Sequence, residues 1–535
     1  STCVANTNSK IGNIRIPMDL SRWIIRHADF TPDKTALRFE GKEISYAEFA
    51  AMIEALAAAM ANKLDVSRGD RVAVLSLNSP VTLALLFACA RLGAMISPLN
   101  WRLAGPEHNR MIADARPKSL FVGEEFIDNV DVSRDEIDVP HFVAMNGEKE
   151  NWISLDNLIE EYKGVTAPVS GGPEDALLLC YTSGSTGAPK GVVLTQNAMQ
   201  FNAINSIHMH GLVGSDVALT TLPLFHVGGL NIQTLPALHL GATTILQKQF
   251  EPDATFDDLE SGDVTLTCFV PAQMQAMVAH PRWAKASFEG IRSVTTGSTF
   301  VPHSLIEQFH KKSVPVIQIY GSTETAPIAV YTTVNDAHSK LGSTGKAAIH
   351  CEVRLVDDDG MDVGQGTSGE ILVRGASVMR EYWQQPDVTR EVLDADGWFQ
   401  TGDMGHFDEE GYLYVDDRKK DMIISGGENI YPAELENILA EVDDLAEAAV
   451  VGKSDARWGE VAVAVCVLKD GRTLKEQDVL AAFEDNLARY KHPKEVVFTD
   501  QLPRNAMGKV VKDDVRKLVS EITNDPEESL EAMKI

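Results

Sequence analysis

At 535 residues the chain is too long for one hydrophobic core, and its 44% apolar content is enough to fill two or more. A formal charge of −29, from 77 Asp and Glu against 48 Lys and Arg, argues against nucleic acid or an anionic membrane as partner, so any anionic substrate must meet locally placed cations. Cysteines at 3, 89, 180, 268, 351 and 466 form no C-x-x-C pair, so neither a disulfide framework nor a thiolate zinc site is suggested, and reduced cytosol fits best.

Residues 1–11 lack a signal-peptide core, and the most apolar stretch, 82–90, is too short to span a bilayer. A soluble cytoplasmic protein without membrane insertion is expected. Residues 17–26 have the pattern of an amphipathic helix, and residues 48–64 place apolar side chains at 49, 52, 53, 56, 60 and 64, which is helical spacing. Residues 71–75 then read as a strand, and 81–92 as a helix ended by Gly93. Alternating strands and helices predict an α/β fold of layered sheets and helices.

The densest motif is Tyr181-Thr182-Ser183-Gly184-Ser185-Thr186-Gly187-Ala188-Pro189-Lys190-Gly191-Val192. Runs 177–181 and 191–195 read as strands, so the polar residues occupy the loop that joins them. Gly184 and Gly187 let the backbone approach a polyanion, Ser185 and Thr186 can donate to phosphate oxygens, and Lys190 adds a cation. A nucleoside triphosphate suits such a cradle. It is not a Walker A loop, because Pro189 and Gly191 flank the lysine where that loop needs Gly and Ser or Thr, and a strand follows instead of a helix.

Next comes Leu222-Pro223-Leu224-Phe225-His226-Val227-Gly228-Gly229-Leu230-Asn231, entered from the strand-like run 217–222, with two glycines that leave room for a ligand. Val294-Thr295-Thr296-Gly297-Ser298 ends another strand-like run. Residues 314–319 lead into Tyr320-Gly321-Ser322-Thr323-Glu324, at a strand C-terminus of the kind that holds ligands in α/β sheets. There Tyr320 offers a flat face to adenine, Thr323 a hydroxyl to phosphate, and Glu324 a hard oxygen to Mg²⁺. Gly397-Trp398-Phe399-Gln400-Thr401-Gly402-Asp403 follows, then the charge run Asp416-Asp417-Arg418-Lys419-Lys420-Asp421, which reads as a solvated linker. Beyond Ser425-Gly426-Gly427, a helix from 432 to about 442, strands at 446–451, 461–468 and 495–498, and a helix at 476–489 make a small α/β unit. Leu502-Pro503-Arg504-Asn505-Ala506-Met507-Gly508-Lys509-Val510 closes it, before a tail that turns acidic from 521.

From about residue 20 to 517 these motifs, in this order, resemble the adenylate-forming superfamily of acyl-CoA synthetases, luciferases and peptide-synthetase adenylation domains. The resemblance implies a large N-terminal domain, 1–418, that binds ATP and the acyl group, and a small mobile C-terminal domain, 419–535. It implies that Thr182, Ser183, Gly184, Ser185, Thr186, Gly187 and Lys190 hold the phosphates, with Thr186 and Glu324 at Mg²⁺. Gly297 and Ser298 would line the acyl and adenine sites, and Tyr320, Gly321, Ser322 and Thr323 the nucleotide. Asp403 would take the ribose hydroxyls, Arg418 would reach the nucleotide, and Lys420 would be the pivot. Gly426 and Gly427 would shape the pantetheine channel, His226 would line the acyl pocket, and Lys509 would be the catalytic lysine beside Glu324, Thr186 and His226. Gln196 stands where such families often carry a basic residue or His.

The activity implied is that of an ATP-dependent carboxylate–CoA ligase, using ATP, Mg²⁺ and coenzyme A to make first an acyl-AMP and then a thioester. The substrate expected is a monocarboxylic aliphatic acid of medium to long chain, or an aryl acid, because the pocket motifs carry no Arg or Lys for a second carboxylate. An enzyme that loads a carrier protein or another acceptor would share every ATP motif. A non-enzymatic binding module is disfavoured by the joint presence of Lys509, Glu324 and Asp403. A homodimer is compatible with this reading.

Overall fold

The computed structural model describes residues 18–524 apart from 183–188, 298–300, 426–427, 456, 485, 488 and 506–507. Four sheets, of nine, eight, five and four strands, are formed by the described residues. The eight-stranded sheet centres on the parallel strands Arg71–Leu75, Met95–Pro98 and Ser119–Val122 and carries the antiparallel pair Ala176–Thr182 and Lys190–Thr195 towards one edge. The nine-stranded sheet is built on the parallel run Val217–Thr220, Thr243–Leu246, Leu266–Cys268, Ser293–Thr296 and Val316–Tyr320.

Helices Tyr46–Asn62 and Pro80–Leu92 contribute much of the largest apolar cluster, in which Phe49, Leu56, Phe87 and Leu178 have no exposed surface. Pro80–Leu92 is buried along nearly its whole length, which is why its sequence is apolar all round instead of striped. Its ends are fixed locally. The Ser79 hydroxyl accepts from the Thr82 N–H at 3.2 Å, Pro80 takes the first turn, and Gly93 closes it at φ +70°.

Gln196 is a structural residue. It is fully buried, its Oε1 accepts the Leu20 N–H at 2.8 Å and its Nε2 donates to the Ala90 carbonyl at 2.9 Å, so it ties the first described helix, Ser21–Phe30, to the core.

The four-stranded antiparallel sheet joins Cys351–Val356, Gly369–Gly375, Phe399–Phe407 and Leu413–Arg418. Beyond it lies the five-stranded sheet of Ile423–Ser425, Glu428–Ile430, Leu445–Asp455, Gly459–Leu468 and Glu495–Phe498, with cores of its own around Leu435 and Phe483 and around Val463 and Val515. The helix expected at 476–489 is shorter than its pattern. It ends at Ala481, and further on the Asn486 amide donates to the Ala482 carbonyl at 3.0 Å, a local bond that competes with helix continuation. Among the described residues no helix is long and apolar enough to cross a membrane.

Candidate active site

The hairpin that frames the phosphate cradle ends with Thr182 paired to Lys190. Its strands are held by Leu177–Cys180 and Val192–Leu194, all buried. Ser183, Gly184, Ser185, Thr186 and Gly187 lie outside the described residues, as do Ser298, Gly426 and Gly427. At the loop's base the Lys190 ammonium stands 5.2 Å from the centroid of the Tyr382 ring. The Tyr382 hydroxyl donates to Glu324 Oε1 at 2.8 Å. Lys190, Tyr382 and Glu324 therefore form a chain from the hairpin to the Tyr320–Glu324 segment. Strand Glu381–Tyr382 places the tyrosine by pairing antiparallel with Val192 and Val193, and the Met379 N–H donates to the Glu324 carbonyl at 2.7 Å. Burial first, then the Glu324 charge, push the Tyr382 phenol up, so it stays a donor.

Glu324 offers one candidate ligand for a metal. No group of three or more His, Cys, Asp or Glu side chains able to hold a metal occurs among the described residues. A single hard carboxylate that leaves the rest of the coordination to phosphates and water is a common arrangement for Mg²⁺, and Glu324 fits it.

The second cluster is built at strand ends. Tyr320, last residue of Val316–Tyr320, donates its hydroxyl to Asp403 Oδ2 at 2.7 Å, while Arg418 Nε lies 2.7 Å from Asp403 Oδ1. Asp403 and Arg418 face each other in register across Phe399–Phe407 and Leu413–Arg418. Burial pushes the Asp403 carboxyl above its ordinary range, and Arg418, Tyr320 and Lys509 pull it back. Asp403 in turn holds the Arg418 guanidinium firmly charged.

Two glycines let these strand ends converge. A Cβ on Gly297 would stand 2.7 Å from the Ile319 carbonyl oxygen, and one on Gly321 only 1.7 Å from that of Pro327. Thr323 is buried, the Ser322 N–H donates to the Thr325 hydroxyl at 2.9 Å, and the Ser322 hydroxyl has no partner among the described residues.

His226 starts the short helical turn Val227–Gly229, where its Nδ1 accepts the Gly228 N–H at 3.0 Å. Burial, and then the Lys509 charge, lower its pKa to about 4, so at neutral pH it is a neutral imidazole with its proton on Nε2. The neighbouring glycines make less room than their sequence suggests. A Cβ on Gly229 would meet the Pro223 carbonyl oxygen at 2.2 Å, so the backbone itself requires that glycine. The cavity beside them is about 10 Å³ and is lined by Thr220, Thr221, Gln233 and Thr234 as well as by apolar residues. It is a small, part-polar niche where the two glycines in the sequence suggest room for a ligand.

Lys509 approaches from the C-terminal unit. A tight turn holds it: its N–H donates to Asn505 Oδ1 at 3.0 Å, the Asn505 N–H donates to the Lys509 carbonyl at 2.9 Å, and Arg504 and Val510 form a bridge. Desolvation, and then the Arg418 charge, lower the Lys509 pKa, although the residue is exposed by surface area. Its ammonium thus keeps solvent-accessible surface while enough protein surrounds it to disfavour the charge.

The charge run at 416–421 is not a free linker. Asp416 pairs with His406 at 2.7 Å and accepts from the Ser368 hydroxyl, Arg418 holds Asp403, and Lys419 lies 3.1 Å from Glu370. Asp417 accepts the Ala433 N–H at 2.9 Å and lies 3.6 Å from Lys512, which also reaches Glu436 at 3.1 Å. Lys420 is half exposed and 3.5 Å from Asp513, and Asp421 is 2.7 Å from Arg516. The run is claimed from two sides: Asp416, Arg418 and Lys419 by the four-stranded sheet and the loops beside it, and Asp417, Lys420 and Asp421 by the C-terminal unit. Sequence reasoning missed Tyr382, Gln233 and Lys512, whose partners are all far away along the chain.

Two family models match, AMP-binding enzyme over residues 24–383 and AMP-binding enzyme C-terminal domain over residues 434–509. An indoleacetate–CoA ligase of Aromatoleum aromaticum is 55% identical over 507 residues, covering 95% of this chain and 99% of that protein. A feruloyl-CoA synthase of an Amycolatopsis species is 40% identical, over 93% of this chain and 98% of that one. Among solved structures, the o-succinylbenzoate coenzyme A synthetase of Bacillus subtilis with ATP and a magnesium ion superposes with a TM-score of 0.80 at 30% identity, covering 92% and 99% of the two chains. With a large ATP-side unit, a small C-terminal unit and both models matched in order, the chain belongs to the AMP-binding enzyme family and is an AMP-forming acid–thiol ligase that uses ATP, Mg²⁺ and coenzyme A.

Proposed function

We propose that this ligase activates an aryl-substituted monocarboxylic acid, with arylacetic acids of the indoleacetate type as best substrates, and passes the acyl group to coenzyme A. The observation that carries this reading is 55% identity, over 95% of the chain, to an indoleacetate–CoA ligase.

In the first half-reaction the substrate carboxylate attacks the α-phosphorus of ATP and pyrophosphate leaves. Lys190 and the loop from Ser183 to Gly187, with Thr182 at its base, grip the leaving phosphates. Glu324 and Thr186 hold Mg²⁺, which when bound supplies positive charge against the polyphosphate. Tyr320 and Thr323 flank the adenosine, while Gly297 and Gly321 bring backbone close to it and Ser298 and Ser322 contribute to the same site. Asp403, oriented by the Tyr320 hydroxyl and by Arg418, accepts the ribose hydroxyls. His226 lines the acyl side as a neutral group. Lys509 approaches the acid's oxygen and the α-phosphate. In the second half-reaction the thiol displaces AMP. The unit from 419 onward turns about Lys420, so that Lys509 withdraws and Gly426 and Gly427 border the thiol's path.

The test is a panel of acids read as pyrophosphate release and as thioester formation, with and without coenzyme A. Arylacetates should exceed medium- and long-chain fatty acids in kcat/KM, and AMP release should require coenzyme A. A fatty acid outperforming every aryl acid would overturn the substrate assignment. AMP release without coenzyme A, driven by a carrier protein, would overturn the acceptor.

A further inference from the structure

The niche beside the acyl segment contains a buried acceptor that the protein leaves unused. Gln233 lies in the π-helical turn Leu230–Thr234, directly after the helical turn that His226 begins, and is only 3% exposed. Its amide orientation is fixed by its neighbours. Gln233 Nε2 is 3.2 Å from His210 Nε2 and 3.3 Å from the Thr295 hydroxyl, and those two groups are 2.7 Å apart. On its other side, His210 Nδ1 lies 3.0 Å from the Ser206 carbonyl, so Nδ1 carries the proton and Nε2 accepts. The Gln233 amide nitrogen therefore points to His210 and Thr295, and its oxygen points away from them. That oxygen is buried and has no partner among the described residues, and neither has the nearby Thr221 hydroxyl. Both residues line the cavity of about 10 Å³, with Gly228 and Gly229.

An orphaned buried carbonyl costs stability unless something donates to it. A cavity of this size is too small for a ring and large enough for one donor group or one water. We propose that Gln233 Oε1 is the specificity determinant for a ring N–H or O–H on the acyl group, so that the ligase prefers aromatic acids carrying a hydrogen-bond donor on the ring edge. This rests on the aryl-acid reading above and sharpens it. The donor satisfies the Gln233 oxygen, while a donor-free ring of the same shape leaves it unpaired.

The test compares kcat/KM for indoleacetate with that for its benzothiophene analogue, in which sulfur replaces the ring N–H, and for 4-hydroxyphenylacetate with that for phenylacetate. In the wild-type enzyme at least one donor acid should lead its donor-free partner by about tenfold or more. Which pair shows the gap identifies the donor as N–H or O–H. In Gln233→Leu the ratio should collapse to about one, and Gln233→Met gives a second variant should the first not fold, each checked for an unchanged melting temperature. A wild-type ratio near one in both pairs, with aryl acids still good substrates, would mean that the niche holds only a water and would overturn this inference alone. Failure of every aryl acid while fatty acids react would overturn the aryl-acid reading and this inference together.

Discussion

The cluster around Tyr320 and Asp403 and the junction around Lys420 are held by different forces. At Tyr320, Gly321 and Asp403 the site is made of strand ends, buried hydrogen bonds and backbone approaches so close that a Cβ would stand 1.7 Å from a carbonyl oxygen. Such a site has one arrangement. The C-terminal unit, in contrast, meets the rest through polar contacts on one carboxylate, Asp417, which lies 3.6 Å from Lys512 and accepts the Ala433 N–H. Ionic contacts can be remade with water or with new partners, although a largely buried one such as Lys512 with Asp417 is costly to leave half paired, whereas interlocked backbone has no alternative partner. The difference teaches where motion is affordable, and it places the reversible contacts on both sides of Lys420.

The largest expected effect separates the two half-reactions. One cation ~4 Å from developing charge, at an effective dielectric near 20, contributes roughly 4 kcal/mol, or about three powers of ten in rate. Lys509→Ala should lose about that factor in pyrophosphate release, yet turn supplied acyl-AMP and coenzyme A into thioester at a near-normal rate. Equal losses in both half-reactions would place Lys509 in both states and end the account of a mobile unit.

Lys512→Met tests the hinge side directly. Lys512, Asp417 and Glu436 are 17%, 7% and 15% exposed, and one lysine serves both carboxylates. Burial works against the Lys512 charge, but Glu436 and Asp417 together hold its pKa above the ordinary value. Burial also raises the Glu436 carboxyl, and of these opposed tendencies the charged lysine is the firmer, because two carboxylates stabilise it while each of them shares one cation. Removing the cation strands two adjacent carboxylates, at a cost of about 3 kcal/mol. Adenylation should fall by up to about a hundredfold and be recovered in Lys512→Arg, with thioester formation from acyl-AMP affected less. Loss of both half-reactions in equal measure would show that the contact holds the fold and not the docking.

On the rigid side, Tyr382→Phe removes only the hydroxyl that donates to Glu324 at 2.8 Å. A bond to an ionised group is worth about 2 kcal/mol, part of which water replaces. The Mg²⁺ concentration for half-maximal pyrophosphate release should rise about tenfold, and the coenzyme A step should be unchanged. An unaltered Mg²⁺ curve would detach Tyr382, and with it Glu324, from the metal.

What the sequence made legible was local. The buried strands at 176–182 and 190–195 announce themselves as apolar runs around a polar loop, while the close backbone approach at Gly297 and Gly321 emerges only in the structure. What it hid was pairing at long range. Tyr382 is a single aromatic in a two-residue strand, and its partner Glu324 lies 58 positions away. Asp421 meets Arg516 across 95 positions, so a run of six charges that reads as solvated linker turns out to be partnered along its length. The niche failed for another reason. Gly228 and Gly229 suggest space, but the backbone of Pro223 already occupies what a Cβ at 229 would need.

The smallest expected effect concerns acid. His210 is 2% exposed, accepts hydrogen bonds at Nε2, and is pushed by burial from an ordinary 6.5 to about 4. Its folded pKa lies below its unfolded one, so as pH falls the unfolded chain takes up the proton first. The stability that His210 contributes is thus present above about pH 6.5 and is lost progressively down to about pH 4, a penalty of about 3 kcal/mol at the low end. His226 and His239 are shifted to about 4 in the same direction, so the wild-type protein should lose melting temperature steadily between pH 7 and pH 5. His210→Gln removes one of the three titrations and should reduce that loss, whatever the variant does to stability at pH 7. The measurement is the difference in melting temperature between the two pH values, compared across the two proteins at constant ionic strength. A difference as large in the variant as in the wild type would mean that His210 accepts its proton without disturbing the buried contact to Thr295 and Gln233, and that the rigid side of the cleft is less rigid than its hydrogen bonds imply.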